Sequence, residues 1–538
     1  MEHSESTFEY GTDIESYIER LSEYNTTCYF HNLKFDGVFI IDWLLKNGYA
    51  HSAERKVLPG EFSSLISDMG QYYSITVRWE NGRNTEFRDS YKKLPMPVSK
   101  IAKSFNMDEG KGEIDYHTHR PVGHQLTPEE VDYLRRDVLI VAKAMHEIIT
   151  NGMTKLTVAS DSMAEYKRLI GDKMFSILFP VLSDFMDAEI RRALRGGWTY
   201  CDPRFKSAIT RSGVVLDVNS LYPFIMASKP IPYGVPEFIE GQVLPTERRP
   251  LTIFSVTFTA KIKPDHVPCI QIKGSSIFGG TEYLNEIDEP VTLTVTNVDW
   301  DLYNDHYDID VQAYGGGWAF TAAIGMFDAY INKWSAIKAA ETGGKKEIAK
   351  LHLNSLYGKF GSNPNVASKY PTLHNGAVKL VRGQDETRPP IYTAAAVFIT
   401  SRARNLTIRA AQENYATFAY ADTDSLHLLQ DEVPESIEVH PTKLGAWKKE
   451  YHFDSALYIR PKAYLEKRRE RACEHDTGDN ECGEHCKYTT HIAGLPVAVA
   501  SKLVFDDIKH GRILKGKMQP KAVPGGIVLK DIDFEIKL

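Results

Sequence analysis

Hydrophobic and polar positions change their period several times along the chain, and these changes predict a multidomain protein that mixes helices and strands. Residues 127–150 carry apolar side chains at helical spacing and begin with Thr127 and Pro128, which is typical of a helix N-terminus. Residues 72–79 and 84–88 alternate with the period of a strand on either side of a short turn, which predicts a β-hairpin.

The first 50 residues show the same mixture of periods. Residues 13–23 predict a short amphipathic helix capped by Thr12. Residues 27–30 predict a buried strand, and residues 38–47 predict a second helix.

The second half of the chain alternates between strand-rich and helical blocks. Residues 229–325 are rich in Thr, Val, Ile, Gly and Pro and predict a β-containing insertion. Residues 326–361 predict helices interrupted at Gly343 and Gly344, and residues 362–393 predict a loop-rich hairpin followed by another helix.

An acidic turn lies where two further strands are predicted to meet. Residues 420–425 hold Asp422 and Asp424 between apolar runs, and two carboxylates at this spacing in extended chain point to the same side. Oxygen ligands on one side suit a divalent cation. Asp217 follows another buried strand, at residues 213–216. Taken alone, Asp-Thr-Asp fits a surface turn equally well.

Composition excludes several classes of protein. A length of 538 residues predicts three or four domains, and 42% hydrophobic with 25% charged residues is ordinary for a globular protein. No apolar run approaches the ~18 residues of a membrane helix, and the N-terminus does not resemble a signal peptide. Six cysteines are too few for a disulfide framework, so a reducing cytoplasm is expected. A net charge of -7 does not by itself indicate nucleic-acid binding, although a basic groove can lie in an acidic protein.

The three aspartates suit catalysis by two Mg²⁺ ions. One ion would lower the pKa of an attacking 3′-hydroxyl, and the other would neutralise a triphosphate. Lys346 and Lys350 lie four residues apart on one helix face, where they could cover the phosphates. Tyr222 follows the first aspartate closely enough to stack beneath the incoming sugar and exclude a 2′-hydroxyl.

Four motifs, in this order, resemble those of the family B DNA polymerases. Residues 217–223 match D-x-x-S-L-Y-P, residues 350–358 match K-x-x-x-N-S-x-Y-G, residues 420–425 match Y-x-D-T-D-S and residues 462–464 match K-x-Y. Further segments resemble the protein-primed branch of this family, the phi-twenty-nine-type phage replicases. They are residues 29–37, 92–95, 114–117, 120–123, 354–359 and 524–528. The likeness covers essentially the whole chain.

The resemblance implies an α/β and α+β multidomain fold, in which an RNase H-like 3′–5′ exonuclease domain precedes a right-hand polymerase. The implied units are an exonuclease-like domain (1–157), palm (158–228), first insertion (229–325), fingers (326–361), second insertion (362–393), palm (394–500) and thumb (501–538). In the family the first insertion engages a terminal protein whose hydroxyl replaces an RNA primer. The second insertion supports processivity and strand displacement.

The resemblance also implies roles for individual residues. Asp217 and Asp424 would ligate Mg²⁺, or Mn²⁺ as a substitute, with the Val218 carbonyl assisting and Asp422 supporting. The nucleotide would be bound by Tyr222, Lys338, Lys346, Lys350, Asn354 and Tyr357. Primer and other DNA would be bound by Lys462, Tyr464, Arg195, Gly196, Gly197, Asn32, Phe35, Ser90, Lys111 and Tyr133. A leucine at position 194 replaces the tyrosine of the family's Tyr-x-Gly-Gly segment.

The exonuclease-like unit departs from the family, which needs four carboxylates around two metals. Asp36, Glu113 and Asp137 are exonuclease-like candidates, but the strand that ends in Asp-x-Glu has no clear counterpart. The literal match, Asp13 and Glu15, falls in the predicted N-terminal helix and too close to the second motif. The simpler expectation is that the chain begins after the first exonuclease strand, which leaves a sheet edge exposed and proofreading lost or impaired.

A segment rich in cysteine and histidine has no counterpart in the resemblance. Thiolates and imidazoles at this density can bind Zn²⁺, although the spacing fits no standard zinc finger and an exposed polar loop is the alternative. The candidate ligands are Cys473, His475, Cys482, His485 and Cys486.

Two other functions stay open at this point, a replication factor with dead chemistry and an RNA-copying enzyme. The intact aspartates and Lys350 argue against the first, and Tyr222 argues against the second. The expected partners are DNA primer–template, dNTPs, the terminal protein and a single-strand-binding protein. We expect a monomer in the cytoplasm of a bacterial host, with no membrane contact.

Overall fold

A mixed sheet and four helices form the N-terminal part of the chain. The structure is a computed structural model that describes residues 8–53, 56–108, 110–112, 114–115, 118, 120–121, 123–272, 282–469 and 487–536. The N-terminal elements are α1 (Ile14–Ser22), β1 (Thr26–Phe30), α2 (Leu33–Lys46), β2 (Ala50–His51), β3 (Glu61–Ser67), β4 (Tyr72–Arg78), β5 (Asn84–Asp89), α3 (Val98–Ser104) and α4 (Pro128–Thr150). The strand order is β1-β5-β4-β3, with β2 parallel to β3. The predicted β4–β5 hairpin and helix α4 are confirmed.

Three local predictions in this region are wrong. The cap of α1 is Asp13, whose Oδ1 accepts the Ser16 N–H at 2.8 Å, and not Thr12. Helix α2 begins at Leu33, five residues earlier than predicted. Strand β1 is half-buried rather than buried because, among the described strands, it pairs with β5 alone and so forms the sheet edge.

The remaining elements build three more sheets around long helices. They are α5 (Val158–Ile170), α6 (Asp172–Leu178), α7 (Asp184–Arg191), β6 (Thr199–Cys201), β7 (Gly213–Val218), α8 (Leu221–Ser228), β8 (Ile231–Ile239), β9 (Leu251–Ile262), β10 (Glu286–Thr296), α9 (Asn297–His306), β11 (Tyr307–Ala323), α10 (Asp328–Ala340), α11 (Gly343–Phe360), β12 (Asn365–His374), β13 (Ala377–Thr387), α12 (Thr393–Glu413), β14 (Phe418–Asp422), β15 (Ser425–Leu428), β16 (Trp447–Arg460), β17 (Ala463–Arg468), β18 (Tyr488–Ile492), α13 (Val497–Ala500), β19 (Ile513–Val523) and β20 (Gly526–Glu535). A seven-stranded sheet has the order β18-β17-β16-β7-β15-β14-β6, a four-stranded sheet has the order β10-β9-β11-β8, and β19 pairs with β20. The predicted β-rich insertion and the break between α10 and α11 are confirmed.

Helix α12 runs through the largest core and supports the seven-stranded sheet. Its alanines at 394–396 are buried, and their small side chains let α12 pack closely against α7, α8 and α9. Arg404 of α12 forms a buried ion pair with Asp299 of α9 at 2.8 Å. The helix therefore ties the insertion that holds α9 to strands β14 and β15.

The β12–β13 hairpin extends the N-terminal sheet, although about 300 residues separate the paired segments. Ser368 of β12 pairs with Ser67 of β3, and Lys369 pairs with Ile66. This hairpin confirms the prediction for residues 362–393 as local structure. The domain boundaries expected from the sequence stay predictions.

Candidate active site

Three neighbouring strands of the seven-stranded sheet bring three aspartates together at one end of these strands. Asp422 ends β14, Asp424 lies in the turn before β15, and Asp217 pairs with Ser425 across the β7–β15 ladder. The Val218 N–H donates to the Asp424 carbonyl at 2.8 Å, which fixes the turn against β7. The predicted hairpin with acids at its turn is confirmed.

The turn itself holds an unusual backbone conformation at Thr423. Its φ is 62°, a left-handed value that is strained for a β-branched residue. Its N–H donates to the Trp198 carbonyl at 2.8 Å, and its carbonyl accepts the Thr407 hydroxyl at 2.8 Å. Gly197 packs directly against the Thr423 side chain. These contacts hold the turn in its strained shape.

The local electrostatics favour a bound cation. Burial raises the pKa of Asp217 to about 7, and the negative charges of Asp424 and Glu450 add to this effect, while Lys448 and Lys338 oppose it. Burial also raises the pKa of Asp424. A divalent cation between these carboxylates would offset the repulsion that raises their pKa values. Glu450 was not predicted as part of the site, because it is an isolated glutamate in β16 outside every motif.

Asp422 differs from the other two aspartates because its oxygens are already engaged. Its Oδ1 accepts the Thr199 hydroxyl at 2.8 Å, and Lys462 Nζ lies 2.9 and 2.8 Å from its two oxygens. An open cleft of about 470 Å³ faces all three aspartates. Within the described residues, no three His, Cys, Asp or Glu side chains are arranged to hold a metal ion on their own. A cation here would share its coordination with water or substrate, as Mg²⁺ does.

Aromatic and basic residues predicted to bind a nucleotide lie on α8, α10 and α11. The rings of Tyr222 and Tyr357 stack with centroids 3.9 Å apart. Lys338 Nζ donates to the Ser220 hydroxyl at 2.9 Å. The structure thus brings Tyr222 and Tyr357 together. It also connects Lys338 to the loop that follows β7.

The lysines of this group lie close enough to interact. Burial lowers the pKa of Lys338, and the positive charges of Lys350 and Lys346 lower it further. Lys350 forms an ion pair with Glu347 one turn earlier on α11, and Asn354 is exposed. The charges of Lys346 and Lys350 on α11 therefore act on Lys338 of α10, and the binding of a nucleotide by these lysines stays a prediction.

The predicted primer residues lie beside the aspartates. Lys462 follows β16, and its backbone N–H donates to the Tyr420 hydroxyl at 2.9 Å. The ring of Tyr464 lies 5.0 Å from that of Tyr420. Both residues therefore attach to the strand that carries Asp422.

The Arg-Gly-Gly segment contacts the same region through its backbone. Arg404 Nη1 donates to the carbonyls of Arg195 and Gly196 at 2.8 Å each. The Arg195 guanidinium donates to the Thr294 carbonyl at 3.0 Å. The segment is thus positioned by a buried ion pair, which a sequence motif does not reveal.

The N-terminal candidates form a separate group at the ends of β1 and β5. Burial raises the pKa of Asp36 to about 6, and the charge of Asp89 adds to it. Asp89, which the sequence reasoning missed, accepts the Asn32 N–H at 3.1 Å. Asp137 lies 3.8 Å from Lys111 Nζ, and its Oδ1 is buried with no hydrogen-bond partner among the described groups.

Two further N-terminal expectations meet a different environment. Ser90 is fully buried, and its hydroxyl donates to the Phe30 carbonyl at 3.0 Å. Its contact with DNA stays a prediction. Tyr133 is also largely buried, whereas Phe35 is half-buried in the first turn of α2. Asp13 caps its helix at the surface, and the hydrogen bonds from Ser16 lower its pKa, so it has a local structural role.

Several expectations fall outside the described residues. They concern Glu113 and the zinc candidates Cys473, His475, Cys482, His485 and Cys486. These stay predictions. In the part of the chain that is described, no helix has the length and apolar character needed to cross a membrane.

Comparisons with known proteins identify the family of this chain. The model of the family described as DNA polymerase type B, organellar and viral, matches residues 18–122 and 111–440. The DNA polymerase of Bacillus phage Nf is 42% identical over 98% of this chain and 94% of its own length, and that of Bacillus phage phi29 is 41% identical over 100% and 94%. The DNA polymerase of Streptococcus phage Cp-1 is 30% identical over 99% and 93%.

Solved structures show the same likeness in three dimensions. Phi29 DNA polymerase complexed with primer–template DNA and incoming nucleotide substrates matches with a TM-score of 0.90 at 41% identity, covering 98% of this chain and 93% of that one. Its binary complex with primer–template DNA matches with a TM-score of 0.91, covering 97% and 93%. The chain therefore belongs to the type B DNA polymerases of organelles and viruses, as a DNA polymerase of the phi29 type.

Proposed function

We propose that this protein copies a DNA template from dNTPs by two-metal nucleotidyl transfer and starts synthesis from the hydroxyl of a terminal protein. The observation that carries the proposal is the convergence of Asp217 and Asp424 on one cleft, with the pKa of each raised. The phi29 enzyme was solved with primer–template DNA and nucleotide, which supports the same ligands here.

The carboxylates of Asp217 and Asp424 fit Mg²⁺ or Mn²⁺, since they are hard oxygen donors. Asp217 and Asp424 would hold the ions, with the Val218 carbonyl assisting. Asp422 supports the site from the side because Thr199 and Lys462 engage its carboxylate. When bound, the ions activate the 3′-hydroxyl and neutralise the charge of the triphosphate.

The residues opposite the acids would bind and orient the incoming nucleotide. Tyr222 forms a flat surface for the sugar, and Tyr357 supports that ring by stacking against it. The bulk of the Tyr222 ring would disfavour a nucleotide that carries a 2′-hydroxyl. Lys338, Lys346 and Lys350 supply positive charge for the phosphates.

Lys462 and Tyr464 would hold the primer end beside Asp422, a role supported by their attachment to Tyr420. Residues 229–325 would engage the terminal protein. For residues 362–393 we propose a role in processivity and strand displacement.

The fold offers a physical basis for that last role. The hairpin of β12 and β13 joins the N-terminal sheet, and Gly526 of β20 packs directly on Phe39 of α2. The second insertion and the C-terminal hairpin therefore both contact the N-terminal unit. A ring of such contacts supports enclosure of DNA.

We also propose that 3′–5′ proofreading is lost or strongly impaired in this polypeptide. Asp36, Asp89 and Asp137 lie near the expected exonuclease site. The carboxylate of Asp89, however, accepts the backbone N–H groups of Asn32 and Tyr91 and lies 4.0 Å from Lys92 Nζ. Asp13 is a surface helix cap rather than a metal ligand. Fewer free carboxylates would weaken metal binding and hydrolysis.

One assay tests these proposals together. A 5′-labelled primer–template is incubated with Mg²⁺, with and without dNTPs, and a parallel lane receives rNTPs. Extension with dNTPs only, and an intact primer without them, is the expected result. Primer shortening without dNTPs would refute the loss of proofreading, and failure to extend would refute the polymerase assignment at the level of activity. Extension from a terminal protein alone, without a DNA primer, tests protein priming.

A further inference from the structure

A buried carboxylate lies behind the acidic turn and outside the chemistry proposed above. Glu466 is fully buried in β17, two residues after Tyr464. Its Oε1 accepts hydrogen bonds from His427 Nδ1 at 2.6 Å and from the Tyr458 hydroxyl at 2.9 Å, and its Oε2 accepts the Tyr451 hydroxyl at 2.7 Å. A buried charge is costly unless it is paired and hydrogen-bonded, and Glu466 meets both conditions.

These partners keep Glu466 ionised. Burial raises the pKa of Glu466, but the charge of His427 and the hydrogen bonds from His427, Tyr451 and Tyr458 outweigh burial and hold the pKa below its ordinary value. The charged carboxylate can only accept hydrogen bonds, so Nδ1 of His427 must carry a proton. The carboxylate thereby links β15, β16 and β17 through side chains as well as through the backbone.

A chain of contacts leads from this carboxylate to the turn at residues 461–462, which carries Lys462. The Tyr458 ring stacks on that of Tyr420, with centroids 5.5 Å apart and an interplanar angle of 8°. The Tyr420 hydroxyl accepts the backbone N–H of Lys462, whose own φ of 61° lies in the left-handed region. The strained turn is therefore held by the hydroxyl of a ring whose place the Glu466 network sets.

A second route leads to the other primer residue. The ring of Tyr464 lies 5.2 Å from that of His427 and 5.0 Å from that of Tyr420. His427, Tyr451 and Tyr464 also line the cleft that faces the aspartates. Any shift of His427 would thus reach the cleft wall beside the primer end.

We propose that Glu466 is a positioning residue, which fixes residues 462–464 against the catalytic aspartates so that the primer end is held in place. The inference rests on the proposed polymerase function. A carboxylate with a purely structural role would affect the stability of the protein and leave the primer–template Kd unchanged. A positioning residue would change that Kd.

The test compares three single variants and one double variant with the wild-type protein. Glu466→Gln keeps the size of the side chain but removes its charge, and His427→Gln removes the imidazole that donates to it. Tyr451→Phe is the matched control, because it deletes one hydrogen bond to the same carboxylate, keeps its ring, and lies on neither route to residues 462–464. The measurements are primer–template Kd, the single-turnover extension rate at saturating primer–template, and the thermal midpoint.

Glu466→Gln and His427→Gln are each expected to weaken primer–template binding about tenfold, and the double variant no further, because coupled residues are not additive. The saturated extension rate should change by less than about threefold, as uniform binding predicts. Tyr451→Phe should bind primer–template nearly as the wild type does.

Unchanged Kd with a lowered thermal midpoint would overturn the proposal, as would additive effects in the double variant. Equal weakening by Tyr451→Phe would overturn it too. Should Glu466→Gln fail to fold, the His427→Gln and Tyr451→Phe pair decides by the same comparison. Failure of the wild-type protein to bind or extend a primer would instead refute the proposed function, since the positioning role is judged from variant-to-wild-type ratios.

Discussion

Gly197 packs so closely against the acidic turn that a larger residue must displace it. A Cβ at this position would lie 2.6 Å from Thr423 Oγ1 and 2.7 Å from Thr423 Cγ2. Real Cβ atoms essentially never approach closer than 3.0 Å, so the turn must move by at least about 0.4 Å, or by about 0.8 Å to relieve the crowding. Thr423 is held from both sides by Trp198 and Thr407, and the displacement would therefore pass to the neighbouring aspartates.

The expected cost follows from the size of this displacement. Misplacing reacting groups by about 1 Å can cost on the order of 10²-fold in rate, so Gly197→Ala should slow single-turnover extension by about 10- to 100-fold. That corresponds to about 1.4 to 2.7 kcal/mol in the activation barrier. Overpacking should also lower the free energy of unfolding by about 1–3 kcal/mol.

Gly196 provides the matched control, since a Cβ there would meet nothing within 4 Å. Single-turnover primer extension and urea unfolding should be measured for Gly196→Ala and Gly197→Ala side by side. At saturating primer–template, Gly196→Ala is expected to keep the extension rate and the stability of the wild type, because its methyl group leaves the turn in place. A wild-type extension rate in Gly197→Ala, or an equal loss in both variants, would refute the reasoning.

Three other predictions concern charge and substrate selection. Burial raises the pKa of Asp217 to about 7 in the folded protein, above its value in the unfolded chain. Ionisation of Asp217 therefore lowers the free energy of unfolding, by the full amount above pH 7 and by less as the pH falls toward 4. Asp217→Asn should therefore raise the thermal midpoint of the metal-free protein in EDTA most at pH 8 and hardly at all near pH 4; a gain independent of pH would contradict this. Arg404→Leu leaves Asp299 buried without its partner and should cost about 3–5 kcal/mol in urea unfolding, whereas Arg409→Leu breaks a half-exposed ion pair and should cost less than about 1 kcal/mol. Equal costs would show that burial of the ion pair does not matter. Tyr222→Ala should raise rNTP relative to dNTP incorporation by about 10- to 100-fold in parallel extension assays, and an unchanged ratio would count against its role under the sugar.

Local sequence predicted those parts of the site whose geometry is also local. The acids of residues 420–425 follow a short strand and precede another, so their turn was predictable from a few residues. The lysines of α11 share a face because of helical spacing alone.

Long-range contacts were not predictable in this way. Helix α2 begins at Leu33 because Asn32 takes a left-handed φ of 83° and donates its N–H to Asp89, a contact 57 residues away. Glu450 and Glu466 become important only because β16 and β17 fold beside the aspartates. No periodicity marks a single carboxylate that acts through its tertiary neighbours.

The pairing of β12 with β3 has a consequence for how the chain is made. Ile66 and Ser67 find their partners only when residues 368 and 369 have been translated. At about 5–20 residues per second, this delay is on the order of 15–60 s. During that time the end of β3 is a free strand edge on the nascent chain, open to pairing with other chains. Synthesis speed and chaperone access should therefore influence the yield of folded enzyme through this ladder, before any nucleotide is bound.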